Sequence, residues 1–274
     1  MLPRPRTPLR ALTYLAPSLP LELFELCCDA VSAAIGRKVE LDVEERISGP
    51  MHTHTDSFAA GAVDLGFLCS PSYLYLRSQP TASVELVPAG LVFDDERGKG
   101  KPVYFSDVVV RQSHVADCFG DLEGCVWGYN DTCSLSGYFS ARQKLNALGR
   151  VDAYFGREVD TGSHLRSVQA VLQRDIDAAA IDSNVLTRLF AEHPDLEDEL
   201  RVVETWGPFP IQPLVVRSAL AELASPIAQA LLSMTADARH LRRLRALGVR
   251  GFAPVGAEDY EDERCEMRAL GLIA

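Results

Sequence analysis

Residues 126–139 read VWGYNDTCSLSGYF, a short apolar strand followed by a polar turn and the start of a helix. Serine, threonine and asparagine in such a turn are typical caps of helix N-termini. The free N–H groups of Leu135, Ser136 and Gly137 would point out of the helix start, where their partial positive charge favours an anion. The hydroxyls of Ser134 and Ser136 add donors, and Gly137 lets a ligand approach the backbone closely. The stretch predicts an anion site, with an ordinary capped helix as the alternative.

A second polar cluster follows in residues 162–182, GSHLRSVQAVLQRDIDAAAID. His164 lies at a predicted helix start, where it can donate to an anion; the alternative is an exposed capping histidine. Asp182 follows the apolar strand AAAI and so lies at a strand's carboxyl end, where open α/β sheets bind ligands. Its alternative role is to cap the next helix. A carboxylate at an anion pocket suits a ligand that also carries a proton or an amine.

Residues 64–76, DLGFLCSPSYLYL, repeat the arrangement of a buried strand that runs into a helix start. Tyr73 and Ser72 are the candidates for lining a cleft here. Simple packing of the Tyr73 ring is the alternative.

Strand and helix patterns alternate over the first 110 residues and again after residue 126, which predicts an α/β fold with a largely parallel sheet. The expected helices include one over 21–35 stopped by Gly36, a short one over 57–61, one over 135–148 closed by Gly149, and a helical tail over 225–247. Strands are expected over 39–43, 103–111, 126–129 and 201–205.

The chain has two plausible crossing points between domains, YFSD at 104–107 and GPFPIQP at 207–213. Two crossings imply a discontinuous first domain, residues 1–105 plus 208–274, and an inserted second domain, residues 106–207. Ligand clefts commonly lie between such lobes.

The composition excludes several classes of protein. Among 274 residues, 47% are hydrophobic and the net charge is −11, so broad nucleic-acid binding is not expected. No apolar run approaches the roughly 20 residues of a membrane span. Residues 9–15 are too short an apolar segment for a secretory signal, so we expect a cytoplasmic protein, periplasmic only if a leader has been removed.

The seven cysteines are scattered and show no metal-binding spacing, so neither a metal site nor another cofactor is expected. Most are interpreted as buried small hydrophobic residues in a reducing compartment. Cys133 is a further candidate, because a thiol beside a helix N-terminus can become a reactive thiolate.

Five stretches in order resemble the phosphate, phosphite and phosphonate substrate-binding proteins of ABC transporters. They are VDLGFLCSPSY (63–73), YFSDVVVR (104–111), SLSGY (134–138), SHLRSVQAVLQRDIDAAAID (163–182) and GFAPVGAEDY (251–260). The resemblance implies a two-lobed, type 2 periplasmic-binding-protein-like fold with two crossover hinge strands and a cleft between the lobes. It also implies a monomer that binds a small anion and, if exported, meets an ABC transporter permease.

The resemblance implies roles for individual residues. Ser134, Ser136 and His164 would contact the phosphonate group, and Asp182 the far end of the ligand. Tyr104 would lie at the cleft on the hinge, and Tyr73 is a weaker match from the first lobe. Leu135 replaces the threonine of the family's S-T-S-G-Y pattern, which removes a hydroxyl donor and keeps the backbone N–H.

The preferred hypothesis is a binding protein that closes on an oxyanion or a phosphorylated metabolite and breaks no bond. The alternative is a cytoplasmic enzyme or ligand sensor on the same fold, with Cys133, His164 and Asp182 in the cleft. A DNA-binding regulator of the LysR type is not supported, because no helix-turn-helix with a basic recognition helix precedes the fold.

Overall fold

The computed structural model describes residues 7–52, 54–150 and 154–273. Within these ranges the strands are β1 (Leu9–Thr13), β2 (Val39–Val43), β3 (Leu65–Phe67), β4 (Val84–Leu86), β5 (Gly90–Phe93), β6 (Val103–Arg111), β7 (Val126–Tyr129), β8 (Arg157–Asp160), β9 (Ala178–Asp182), β10 (Leu200–Pro210), β11 (Leu214–Arg217) and β12 (Val249–Ala253). The helices are α1 (Leu21–Ile35), α2 (Ser70–Ser78), α3 (Ser140–Ala147), α4 (His164–Gln173), α5 (Ser183–Glu192), α6 (Leu196–Glu199), α7 (Ala224–Ser233), α8 (Ala238–Ala246) and α9 (Glu261–Ala269).

The first five-stranded sheet has the order β2-β1-β3-β11-β4 and forms lobe I together with the β5/β12 pair. Strand β1 is parallel to β2 and β3, whereas β11 is antiparallel to β3 and β4. The sheet is therefore mixed, and the expectation of a largely parallel sheet is wrong here. The antiparallel strand is the one that enters the sheet after the chain returns from the second lobe.

The second sheet has the order β10-β6-β9-β7-β8 and forms lobe II. Strands β7, β8 and β9 are parallel neighbours, and β6 is antiparallel to both β9 and β10. The β6–β10 ladder runs from the Leu200–Arg111 pair to the Pro210–Val103 pair. These two long strands carry the chain into lobe II and back, so they are the two crossover strands of a two-lobed α/β fold.

Several helices and strands begin and end where the local sequence patterns predicted. Helix α1 spans the predicted residues, and Gly36 ends it with a left-handed φ of 63°. Strands β2, β6 and β7 also have their predicted bounds. Glycine tolerates positive φ without the steric cost of a Cβ atom, which explains its use as a helix stop.

Some predicted elements differ. Residues 57–61 form turns rather than a helix. The helical tail is interrupted at Asp237, whose carboxylate accepts from the backbone N–H groups of Arg239 (2.7 Å) and His240 (2.9 Å) and so begins α8 as a new helix. Strands β8 and β12 were not predicted, since β8 is largely exposed and β12 contains a glycine.

A large apolar cluster extends from lobe I into lobe II, and a smaller one lies within lobe II. In lobe II, Phe119 contacts the rings of Trp127, Tyr154 and Trp206, at centroid distances of 5.1–5.7 Å. Cys27, Cys28, Cys69 and Cys133 are buried as expected, whereas Cys118 and Cys265 are exposed. Among the described residues, no helix combines the length and the hydrophobicity needed to cross a bilayer.

Candidate functional site

A small cavity of about 30 Å³ lies between the two lobes. Among the described residues that line it there is neither lysine nor arginine, so an anion held by them depends on neutral hydrogen-bond donors and helix dipoles. The lining residues come from the loops after β1, β2 and β3, the turn after β7, the start of α4, the β9–α5 junction and the loop between β10 and β11: Tyr14, Leu15, Ser18, Leu19, Ser48, Cys69, Asn130, Ser134, Ser136, His164, Asp182, Val185 and Gln212.

The predicted strand–turn–helix forms one wall of this cavity. The Ser134 hydroxyl accepts from the backbone N–H of Gly137 at 3.1 Å, so the predicted cap is present. The first helical turn, Leu135–Phe139, is π-helical and runs directly into α3. The backbone N–H of Leu135 donates to Sγ of Cys69 at 3.2 Å, across the boundary between the lobes. The helix start therefore faces lobe I, as an interlobe anion site requires.

Gly137 is required by a neighbouring side chain. A Cβ atom at this position would lie 1.7 Å from Oδ1 and 2.8 Å from Cγ of Asn130, and 3.1 Å from Cε1 of His164. Glycine thus lets the Asn130 amide pack against the helix start, which is a different close approach from the ligand approach that the sequence predicted.

His164 begins α4 and is buried, with 6% of its surface exposed, so the alternative of an exposed capping histidine is wrong. Its neighbour Ser163 caps the helix instead, accepting from the N–H of Arg166 at 3.2 Å. The His164 Nε2 atom lies 3.3 Å from Oγ of Ser136. Burial lowers the pKa of His164 to about 4, although the backbone of Ala180 opposes this, so the ring is neutral at neutral pH.

Asp182 caps the next helix, as one of its two predicted roles requires, and it also lines the cavity. Its Oδ1 atom caps α5 by accepting from the N–H of Asn184 at 2.8 Å. Its Oδ2 atom accepts from Nε2 of Gln212 at 2.5 Å, while the residue lines the cavity. Burial raises the pKa of Asp182 to about 7, against the opposing effect of these hydrogen bonds. The carboxyl group can therefore accept or donate a proton near neutral pH.

Direct hydrogen bonds connect the lobes beside the cavity. Ser48 of lobe I donates to Oδ2 of Asp131 in lobe II at 2.6 Å. The same carboxylate accepts from Nδ2 of Asn130 at 2.9 Å and from the N–H of Cys133 at 2.7 Å. Burial raises the pKa of Asp131, and the bond from Ser48 opposes that rise. The carboxylate holds the turn after β7 against lobe I.

Three predicted ligand residues do not present their side chains among the residues that line the cavity. Tyr73 is buried and its ring packs edge-on against Tyr260 at 5.3 Å, and it does not line the cavity. Tyr104 is fully buried on β6, with its ring centroid 6.0 Å from that of Phe209. The Leu135 side chain is also buried, so this residue offers only its backbone.

The three residues of the enzyme alternative are not assembled as a catalytic group. Sγ of Cys133 lies 3.8 Å from Nδ1 of His54, whereas His164 contacts Ser136. Burial raises the pKa of Cys133 to about 12, so it is a thiol rather than a reactive thiolate at neutral pH.

Sequence reasoning missed several residues of the site. Asn130 lies within the quoted turn and Gln212 within the second crossing point, so both had a positional signal. Cys69 lies in the quoted stretch 64–76, at the junction of strand and helix, and so had the same signal. Ser48 comes from a loop of lobe I that carried none. Within the described ranges, no group of three or more histidine, cysteine, aspartate or glutamate side chains is arranged to hold a metal ion.

Solved structures with this architecture are numerous. The binding protein component of an ABC phosphonate transporter from Pseudomonas aeruginosa superposes with a TM-score of 0.76 at 19% identity, over 94% of this chain and 85% of that one. PhnD1 from Prochlorococcus marinus, in complex with methylphosphonate, gives 0.78 at 17% identity over 97% and 98%. XAC2383 from Xanthomonas citri, bound to ATP, gives 0.69 at 17% over 98% and 100%. These likenesses establish the two-lobed fold.

No curated protein sequence matches this chain significantly. A family model described as "ABC transporter, phosphonate, periplasmic substrate-binding protein" matches residues 22–260. Its members are substrate-binding proteins rather than enzymes. They are also periplasmic, so the expected cytoplasmic location is wrong. The match spans most of the chain, which therefore belongs to the family of periplasmic substrate-binding proteins of phosphonate ABC transporters.

Proposed function

We propose that this chain binds a phosphonate- or phosphate-like oxyanion in the interlobe cavity and closes on it by bending at β6 and β10. The observation that carries the proposal is the convergence of Ser134, Ser136 and His164 on one small buried cavity at a helix start that faces lobe I. Neutral donors in such a cavity hold an anion without a lysine or arginine partner.

We assign the ligand contacts to residues on both sides of the cleft. Ser134, Ser136 and His164 would face the oxyanion. The N–H groups of Leu135 and Gly137 would reach it only by giving up their bonds to Sγ of Cys69 and Oγ of Ser134. Asp182 would face a protonated oxygen or an amine on the ligand, because its own pKa of about 7 lets it accept such a proton near neutral pH. Tyr104 and Tyr73 would support the cavity from the hinge and from lobe I.

The domain division that we propose is residues 1–105 plus 208–274 for lobe I and residues 106–207 for lobe II. The membership of the two sheets supports it, because β1–β4 and β11 share one sheet and β6–β10 the other. We also propose that the protein acts as a monomer, passes its ligand to an ABC permease and binds no nucleic acid. The net charge of −11 supports the last point.

Isothermal titration calorimetry with methylphosphonate, phosphate and sulfate tests the proposal. We expect methylphosphonate or phosphate to bind and Ser136→Asp to abolish that binding, because a second negative charge would face the anion. Ser136→Ala, which is uncharged, should weaken binding by about tenfold through loss of one hydrogen bond to a charged group. Ser113→Asp, on an exposed residue, is the control. Unchanged affinity in both Ser136 variants would show that the ligand lies elsewhere.

The Ser48–Asp131 bond predicts a closure effect. Ser48→Ala removes the donor from lobe I and leaves the two other bonds to Asp131 within lobe II. Because a hydrogen bond to a charged group contributes roughly 1.5–3 kcal/mol, we expect phosphonate affinity to fall by about tenfold or more. Small-angle scattering should show a larger radius of gyration. Ser78→Ala is the matched control, since that hydroxyl donates to the carbonyl of Tyr75 in its own helix. If Ser48→Ala and the wild type had equal affinities and equal radii of gyration, the Ser48–Asp131 bond would not stabilise the closed form.

A further inference from the structure

A groove of about 660 Å³ lies between the lobes, beside the oxyanion cavity. Lobe II contributes the outer face of α5. Lobe I contributes the start of α1, the end of β5 and the end of α8. The volume is within the ~300–1,000 Å³ that small-molecule sites occupy. The cavity itself, at about 30 Å³, has room for little more than the charged group of a ligand.

The groove and the cavity share a wall. Leu19, in the loop before α1, lines both spaces. On the opposite side, Asp182 and Val185 face the cavity while Thr187 and Arg188, one turn further along α5, line the groove. The two spaces are therefore adjacent, and a group attached to an oxyanion in the cavity would have to pass between Leu19 and the first turn of α5 to enter the groove.

The charges of the groove are almost all paired. Arg188 contacts Glu192 at 2.6 Å, Asp94 contacts Arg250 at 2.6 Å and Asp95 contacts Arg97 at 2.8 Å. Within the described part of the chain, the groove's two remaining charged residues, Glu22 and Arg245, have no ion pair within 4 Å and are of opposite sign. The lining itself carries four carboxylates against two guanidinium groups, and Arg97 pairs with Asp107 as well as with Asp95, so the groove is slightly acidic overall.

The remaining wall is largely apolar. Leu19, Pro20, Phe93 and Leu247 supply aliphatic and aromatic surface. A ring-shaped group packs well against such a surface, whereas additional phosphates would meet the paired and unpaired carboxylates of Glu22, Asp94 and Glu192.

We propose that this groove binds an uncharged, ring-sized organic substituent of the oxyanion ligand. The natural ligand would then be an organophosphonate or a phosphate monoester rather than free phosphate or a short alkylphosphonate. The inference rests on the proposed oxyanion function of the adjoining cavity and extends that site by one subsite.

Calorimetry with methylphosphonate, phenyl phosphate and adenosine 5′-monophosphate tests the subsite. We expect at least one of the two ring-bearing probes to bind about tenfold more tightly than methylphosphonate, a gain that burial of about 60 Å² of apolar surface supplies. Thr187→Trp, on an exposed position of α5, should fill the groove and remove that gain, while methylphosphonate affinity stays within about twofold. Thr187→Ala should keep the gain.

The outcomes separate the two proposals. Equal affinity for all three probes, or a gain that survives Thr187→Trp, overturns the subsite and leaves the oxyanion cavity intact. If none of the three probes binds, the proposed function itself fails, and the subsite fails with it. A parallel loss of methylphosphonate binding in Thr187→Trp also counts against the subsite, because the groove would then be part of the closing interface.

Discussion

Gly137→Ala is expected to weaken phosphonate binding by at least about 100-fold, because the added Cβ has no room. The atom would lie 1.7 Å from Oδ1 of Asn130, well inside van der Waals contact, and 3.1 Å from Cε1 of His164. Relief requires the Asn130 side chain to leave its position, which breaks its 2.9 Å bond to Asp131 and opens the turn that holds the helix start. The donors Ser134 and Ser136 would then lose their common orientation.

A double-mutant cycle checks this explanation by calorimetry. Asn130→Ala creates the missing space, so adding Gly137→Ala to it should cost little further affinity. Gly120→Ala is the control, because a Cβ there would meet only Sγ of Cys118 at an ordinary 3.5 Å. Full additivity of the two substitutions would mean that Gly137 matters for a different reason, such as direct approach of the ligand to the backbone.

Gly137 also illustrates how far sequence reasoning could go. The pattern SLSGY predicted a capped helix start and an anion site, and the cap from Ser134 is present. The glycine was singled out for close approach of a ligand, whereas the close neighbour in the structure is the Asn130 side chain. Asn130 is seven residues away around a turn, and no periodicity reports the packing of one amide against a helix.

The missed residues share one property: their hydrogen-bond partners lie far away along the chain. Ser48 and Asp131 are 83 residues apart, and Cys69 and Leu135 are 66 apart. Such pairs arise from the relative placement of the two lobes, whereas helix and strand patterns depend on neighbours within a few residues. The choice between lining and packing stayed open for Tyr73 for the same reason, since its packing partner Tyr260 comes from the last part of the chain.

In the fold, too, features set by neighbouring residues could be predicted, whereas features set by distant parts of the chain could not. Helix α1 and strands β6 and β7 follow from local hydrophobic spacing and glycine stops, and their bounds were correct. The direction of β11 within the first sheet depends on how the chain returns after β10, which local spacing does not encode. The family resemblance supplied the two-lobed architecture, because five weak motifs in the right order constrain the topology more than any single one.

Glu263→Gln is expected to remove a large pH dependence from the stability of the protein. Glu263 lies on α9 with only 4% of its surface exposed. Burial raises the pKa of this carboxyl to about 8, from 4.5 for the free group, against a smaller opposing effect of Ser70. Between these two values the folded chain holds a proton that the unfolded chain releases. The free energy of unfolding of the wild type therefore falls as pH rises from about 4.5 to about 8.

The full loss from this one group is on the order of 4–5 kcal/mol, since each pKa unit corresponds to about 1.4 kcal/mol. Asp182 acts in the same direction below about pH 7, and His164 in the opposite direction between about pH 4 and 6.5, so the wild-type curve alone is a composite.

The difference between Glu263→Gln and wild type isolates Glu263. Urea unfolding at pH 5, 6.5 and 8 should show the variant gaining on the wild type at each step. Asp262→Asn, an exposed acid on the same helix, is the matched control. If the free energies of unfolding of Glu263→Gln and wild type changed in parallel with pH, Glu263 would be ionised in the folded protein. A counter-charge or water beside Ser70, the first residue of α2, would then compensate it.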